Sequence, residues 1–64
     1  MITVNGEAGG ESDVTVWALL ERLTLDGRGI AVAVDGEIVH RVDWSTRVVS
    51  DGAKVEIVTA AAGG

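Results

Sequence analysis

The stretch that decides the fold is IAVAVDGEIVH, residues 30–40. Apolar residues alternate up to Val34, and Asp35-Gly36 then gives a strong signal for a two-residue hairpin turn, because both residues tolerate a positive φ. With this pair as the loop, Val34 faces Glu37 across the hairpin. Because cross-strand partners share a face, the inward set is Ile30, Val32, Val34 and Val39. The outward set is Ala31, Ala33, Ile38 and His40.

An amphipathic helix is predicted just before this hairpin. Its apolar residues recur at the i, i+3, i+4, i+7 spacing that places them on one helical face: Val16, Leu19, Leu20 and Leu23. Thr15 can cap the first turn, and Gly27 and Gly29 offer left-handed positions after the exit. The pattern predicts a helix of about two and a half turns.

Two further turn signals frame the rest of the chain. Asn5-Gly6 follows the alternating segment 1–4. The returning segment 7–11 has so few side chains that can pack on a core that the sequence does not decide whether a second strand forms there. Asp51-Gly52 precedes a last strand, 54–58, whose Val55 and Ile57 face the core. Residues 41–49 read as an irregular crossover, in which Trp44 is expected to plug one end of the core.

The order of these elements predicts the fold class. A hairpin, a helix, two strands, a crossover and a final strand give an α+β domain of the ubiquitin-like β-grasp type. We expect a mixed sheet of four to five strands around one main helix over residues 1–59, followed by a flexible tail over residues 60–64.

Composition limits the class of protein. With 64 residues, 47% of them apolar, and no cysteine, the chain predicts one small domain held together without disulfides, in keeping with a cytoplasmic setting. It shows neither a signal-peptide pattern nor an apolar run long enough to span a membrane. The net charge of −5 disfavours nucleic acid and favours a basic protein surface, although solubility alone also explains such a charge.

The tail is a candidate reactive segment. Beyond Val58 no large side chain remains, and the chain ends in Ala62-Gly63-Gly64, so it can thread into a narrow active site and present the Gly64 carboxylate. A carboxylate is a poor acyl donor, so a partner must activate it. Adenylation with ATP would give a mixed anhydride that a sulfur nucleophile converts to a thiocarboxylate. A merely frayed terminus is the plain alternative.

Several segments together resemble the ThiS family of sulfur carriers in thiamine biosynthesis. The resemblance covers nearly the whole chain. It rests on Val4-Asn5-Gly6, Leu19-Leu20-Glu21-Arg22-Leu23, Val32 to Glu37 with Val39, Arg41 with Trp44, Asp51-Gly52, Val55 to Val58, and Gly63-Gly64. Departures are Ala53, where an acidic residue is common, the glycine-rich second strand and the bland stretch 60–62.

The resemblance implies a set of partners. A ubiquitin-activating-enzyme-like protein using ATP and Mg²⁺ would adenylate Gly64, a cysteine desulfurase system would supply sulfur, and thiazole synthase would accept it. The chain would be a carrier, not an enzyme, and would bind no cofactor itself. The alternative is a molybdopterin-synthase-type small subunit or another ubiquitin-like carrier or modifier with the same tail; Arg41 and Trp44 favour the thiamine branch.

Other residues yield one further candidate site. Because apolar residues grouped on a sheet face usually have a partner, we predict a docking face at Ala31, Ala33, Ile38 and Val58, with scattered surface hydrophobes as the alternative. His40 is the sole histidine of a chain without cysteine, so no metal site is expected. No serine lies in a pattern that indicates nucleophilic catalysis.

Overall fold

The computed structural model describes residues 1–59. The strands are β1 (Thr3–Val4), β2 (Glu7–Ala8), β3 (Val14–Thr15), β4 (Ile30–Val34), β5 (Glu37–Val39), β6 (Val48–Val49) and β7 (Lys54–Thr59). The helix α1 covers Val16–Arg22, and a short 3-10 helix covers Arg41–Asp43.

The main sheet has five strands in the order β2-β1-β7-β4-β5. β1 runs parallel to β7, and the other neighbours are antiparallel, so the sheet is mixed as predicted. β7 is central and pairs with β4 along five residues, from Ile30 opposite Thr59 to Val34 opposite Val55. This arrangement around α1 is the predicted β-grasp fold.

Both predicted hairpins form. In the second, Val34 pairs with Glu37 and Val32 with Val39, and the loop residues Asp35 and Gly36 have φ values of 51° and 82°. In the first, Asn5 and Gly6 have φ values of 52° and 83°. The weak second strand, β2, exists, but it has only two residues and both are exposed, because nothing in it packs on the core.

The core lies between α1 and the inner face of the sheet. Val16, Leu19 and Leu20 of the helix are fully buried, and they belong to one cluster with the inward valines of β4, β5 and β7. The Thr15 hydroxyl accepts a hydrogen bond from the Ala18 N–H at 3.1 Å, the capping contact expected from the sequence. The helix covers seven residues, slightly less than predicted, since Thr24 follows with a φ of 59°.

One element differs from the sequence-based expectation. The crossover is not wholly irregular, because its β6 pairs antiparallel with β3 to form a separate two-stranded sheet, with Val14 opposite Val49. Two-residue strands are too short to produce a recognisable alternation, so only the tertiary pairing defines them. Trp44 closes one end of the core as predicted; it is 2% exposed, and its indole N–H donates to the Val39 carbonyl at 2.8 Å.

Candidate functional site

The predicted docking residues lie together on the outer face of the main sheet, away from α1. Val58 of β7 pairs with Ala31 of β4, and Ala33 of β4 pairs with Ile38 of β5. Ile38 and Val58 are each 57% exposed. With Glu56, these four residues line an open groove of about 210 Å³, which we call the outer groove.

The outer groove results from strand alternation in a sheet with a helix on one face. Alternate residues of β4 and β7, such as Val32 and Val55, are buried beneath α1, which leaves their neighbours on the opposite face. No element within residues 1–59 covers that opposite face. A contiguous apolar surface of this kind is typical of interaction sites. Docking here stays a prediction, and the structure defines the groove in which it would occur.

A second groove of about 260 Å³ adjoins the first and shares Ala31 and Ile38 with it. Arg41 and Trp44 also line it. The guanidinium carbon of Arg41 lies 5.3 Å from the ring centroid of Trp17 and 5.4 Å from that of Trp44. The two indoles themselves meet edge to face, with centroids 5.3 Å apart. We call Arg41, Trp17 and Trp44 the Arg41 corner.

Gly27 completes the Arg41 corner from the loop after the helix. Its carbonyl accepts a hydrogen bond from Arg41 Nη1 at 2.9 Å. Gly27 has a φ of 85°, and a Cβ there would lie 2.9 Å from an atom of the Trp44 ring and 3.0 Å from one of the Trp17 ring. Only glycine satisfies both the backbone angle and the close approach of the rings.

A third groove, of about 720 Å³, lies between the two hairpin turns, and several of its polar groups serve the fold. The Asn5 side chain bonds both backbone groups of Ile57, donating to the carbonyl at 3.1 Å and accepting from the N–H at 2.9 Å. The Asp35 carboxylate accepts from the Lys54 N–H at 2.9 Å. These contacts fix strand register and leave those two side chains engaged in structure.

Titratable groups within residues 1–59 form no group of three or more His, Cys, Asp or Glu side chains suited to a metal ion. His40 is exposed. The exposed carboxylate of Asp51 accepts a hydrogen bond from the N-terminal ammonium. This bond has the largest effect on the pKa of Asp51 and charge attraction the next largest, and both lower that pKa below its ordinary value.

No helix in the described part of the chain has the length and apolar character needed to cross a membrane.

The predicted reactive residues, Ala62, Gly63 and Gly64, lie outside the described residues, as does the predicted tail boundary at residue 60. What the structure places is the point where the described chain ends. Thr59 is the last residue of β7 and pairs with Ile30, beside the Ala31–Val58 pair of the outer groove. The described chain therefore ends on the central strand of the sheet, beside the predicted docking face.

Sequence reasoning missed the Arg41 corner as a structural unit. Trp17 falls one residue off the helix stripe, and the structure leaves it half-buried. Its contact with Trp44 depends on the path of the crossover, which has no periodic signal. The spacing of Arg41 and Trp44 was visible in the sequence, but nothing in it indicated that the guanidinium lies against both rings.

Comparisons with known proteins agree with this geometry. The ThiS family model matches residues 2–64. A thiazole synthase of Paramagnetospirillum magneticum is 41% identical over an alignment of 64 residues that covers 98% of this chain and 20% of that protein. The chain therefore spans about one fifth of the curated relative's length. The crystal structure of the thiamine biosynthesis protein ThiS from Geobacter metallireducens is similar, with a TM-score of 0.76 and 30% sequence identity. The superposition covers 89% of this chain and 88% of the Geobacter chain.

Proposed function

The chain belongs to the ThiS family, and we propose that it acts as a sulfur carrier in thiamine biosynthesis, with the Gly64 carboxylate as the sulfur-bearing group. The proposal rests on the reach of the family match, which runs to residue 64 and so includes the Gly63-Gly64 pair. The small β-grasp body supports it, because its described residues offer an exposed apolar groove for binding a partner.

The proposed chemistry at Gly64 has two steps. A carboxylate oxygen of Gly64 attacks the α-phosphorus of ATP on a partner enzyme, pyrophosphate leaves, and Mg²⁺ held by that partner offsets the phosphate charge. A sulfur nucleophile then attacks the acyl carbon and displaces AMP, which is a far better leaving group than oxide. With a persulfide of the desulfurase system as that nucleophile, the product is an acyl disulfide; a thiol such as cysteine then attacks the donor's sulfur, forms a disulfide with the donor and leaves the thiocarboxylate on Gly64. Ala62 and Gly63 bring no bulk to this site.

The adenylating partner is proposed to dock on the outer groove. Ile38 and Val58 supply exposed apolar surface on adjoining parts of one sheet face, and Ala31 and Ala33 form the floor between them. Because β7 carries Val58 and leads into the tail, a protein bound here lies close to the root of the reactive segment. The −5 charge of the chain would assist association with a basic partner.

The proposed acceptor of the sulfur is a thiazole synthase, with a cysteine desulfurase system as the source. The acceptor is suggested by the relative named thiazole synthase, a longer protein in which a segment 41% identical to this chain is present. In such a protein the carrier-like segment belongs to the same chain as the rest. We therefore expect this chain to bind its acceptor at least transiently.

Loading of the chain with sulfur tests the proposal directly. The purified chain is incubated with ATP, Mg²⁺, the adenylating enzyme, a cysteine desulfurase and cysteine, and its intact mass is measured. Exchange of one oxygen for sulfur at residue 64 is expected. An isopeptide-linked product would instead identify a ubiquitin-like modifier, and an unchanged mass would contradict the carrier role.

Two tail variants serve as controls for that experiment. Deletion of Gly64 and the substitution Gly63→Val should each abolish loading, because the first leaves the terminal carboxylate, now on Gly63, one residue short of the reaction site and the second adds bulk where the tail must thread. Circular dichroism should show the folded body in both variants. If either variant is still loaded at the wild-type rate, the proposed reaction site is wrong.

A further inference from the structure

Arg41 is held in place from three sides. The rings of Trp17 and Trp44 lie 5.3 and 5.4 Å from its guanidinium carbon, and Nη1 donates to the Gly27 carbonyl at 2.9 Å. Contacts with aromatic rings favour a guanidinium while leaving its remaining N–H groups available. Arg41 therefore has a fixed orientation although it lies on the surface.

The charge of Arg41 has no acidic partner among residues 1–59, whereas other arginines are occupied. Arg47 pairs with Glu37 at 3.2 Å, and Arg28 lies 3.9 Å from Asp26. Arg22 donates through Nη2 to the carbonyls of Gly9 and Glu11. A guanidinium has five N–H donors, and the one described hydrogen bond of Arg41 uses a single nitrogen. An ordered cation with spare donors is suited to binding an anion.

The Arg41 corner and the outer groove form one continuous surface, because the two cavities share Ala31 and Ile38. Glu56 lies at the other end of that surface. Glu56 pairs with Ala33, which in turn pairs with Ile38 of β5. From Ile38 the chain runs to Val39, opposite Val32, and then to Arg41, at the end of β4 where Ile30 lies. Among residues 1–59, Glu56 makes no ion pair with Lys54, which lies two residues before it. The carboxylate of Asp35 is already engaged, since it accepts a hydrogen bond from the backbone N–H of Lys54.

We propose that Arg41 binds a carboxylate side chain of the protein that docks on the outer groove, and that Glu56 faces a basic side chain of the same partner. The inference rests on the docking face in the proposed function and names the chemistry of its occupant. A partner apolar side chain fills the groove between the two charges. One guanidinium on a chain of net charge −5 suits a single carboxylate rather than a nucleic acid.

The physical role of the two charges is orientation. A partner turned by half a rotation would place its carboxylate over Glu56 and its cation over Arg41, and like charges brought together at an interface oppose binding. Since residue 60 continues from the adjacent β7, a fixed orientation of the partner also fixes the direction in which its active site meets the tail. The flat Arg41 fork adds geometric selectivity for a carboxylate.

Binding of the adenylating enzyme to charge variants tests this inference. By calorimetry, Arg41→Gln is expected to weaken the affinity about tenfold, and Glu56→Lys to weaken it about as much, because each leaves a partner charge unmatched. Arg41→Lys should restore only part of the loss, since it keeps the charge without the planar fork. The matched control Arg28→Gln removes an equal charge elsewhere and should change the affinity by less than about twofold.

The outcomes separate this inference from the proposed function. If Arg41→Gln and Glu56→Lys both bind like wild type while Ile38→Asp does not, the docking face stands and the charge assignment is overturned. If Ile38→Asp also binds normally, the docking face itself is wrong, and the charge assignment fails with it. Sulfur loading of the wild-type chain, measured by mass, reports on the carrier role independently of all these variants.

A measurement without the partner guards against a purely structural effect of Arg41. The ¹⁵N-labelled chain is titrated with sodium acetate and, at equal ionic strength, with sodium chloride. The Arg41 Nε–H and Trp44 indole N–H resonances should shift more with acetate, because a carboxylate occupies the fork. Equal shifts in the two salts would overturn the carboxylate site. The melting temperature of each Arg41 variant shows whether its fold is intact.

Discussion

The two faces of the main sheet carry similar side chains but differ in how far these are buried. On the inner face, Val32 and Val55 are buried, whereas on the outer face, Ile38 and Val58 remain 57% exposed. Both sets are apolar and β-branched, and they alternate along the same strands. The difference comes from α1, which packs on one face only among the described elements.

This contrast shows that hydrophobicity alone does not decide what a residue does. Removing a valine or isoleucine side chain from water stabilises a protein by about 1.5–3 kcal/mol. On the inner face that free energy stabilises the fold. On the outer face it is still available for association, which is why the outer groove is a better candidate for docking than any isolated surface residue.

The largest expected effect comes from placing a charge on the inner face. Val32→Asp would bury a carboxylate opposite Val39 and Ile57 without a partner, which should lower the free energy of unfolding by about 3–5 kcal/mol. Urea denaturation followed by tryptophan fluorescence measures this loss. The same substitution on the outer face, Ile38→Asp, is the control and should change stability by less than about 0.5 kcal/mol. Similar losses in both would erase the distinction between the faces.

A smaller loss is expected at the edge of the core, where Gly27 meets both tryptophans. Gly27→Ala combines a strained positive φ with a Cβ 2.9 Å from the Trp44 ring, which should lower the free energy of unfolding by roughly 2–3 kcal/mol. Gly36→Ala is the matched control, because Gly36 has a φ of 82° but no atom within 4 Å of the added Cβ. Thermal denaturation should rank Gly27→Ala as the more destabilising; the reverse order would contradict the packing described for the Arg41 corner.

On the outer face the expected effect is on binding. Ile38→Asp should weaken the affinity for the adenylating enzyme about tenfold, because it replaces apolar contact with a carboxylate that must lose its water. Val48→Asp provides the control, since Val48 is 47% exposed, lies in β6 of the separate two-stranded sheet and lines neither the outer groove nor the groove at Arg41. Calorimetric titrations compare the two variants. Equal affinities would mean that the outer groove does not contact this partner.

The smallest expected effect concerns a charge on neither face. Because the N-terminal ammonium lowers the pKa of Asp51 in the folded chain, the contact stabilises the fold above the unfolded-state pKa near 3.8 and loses that effect as the pH falls through the lowered pKa. Stability measured between pH 6 and about pH 2 should therefore fall slightly more for wild type than for Asp51→Asn. Identical pH profiles would show that this exposed contact contributes nothing.

Much of the fold was predictable because its signals are local. Asn5-Gly6 and Asp35-Gly36 form hairpin turns with positive φ values at both residues. The alternation through β4 and β5 gave the observed register, with Val34 opposite Glu37. The helix stripe and its Thr15 cap are also confirmed. Each feature depends on residues within a few positions of one another, where backbone preference and periodicity act directly.

The sequence predicted which residues form the docking face, but not the groove or the contacts around it. Strand parity assigned Ala31, Ala33, Ile38 and Val58 to one face, and the structure adds that they line a groove together with Glu56. Docking at that groove and sulfur loading at Gly64 stay predictions until they are tested. The Arg41 corner was not predictable, since its contacts join three segments with no common sequence pattern.

The sequence by itself determined the turns, the helix and the strand faces, because propensity and periodicity are properties of neighbouring residues. Only the tertiary structure decided the pairing of β3 with β6 and the stacking of Arg41 on both tryptophans. These contacts join residues far apart in the chain. They depend on the path of the crossover past the first residues of α1, where the Val16 and Trp17 N–H groups donate to the Arg47 and Trp44 carbonyls.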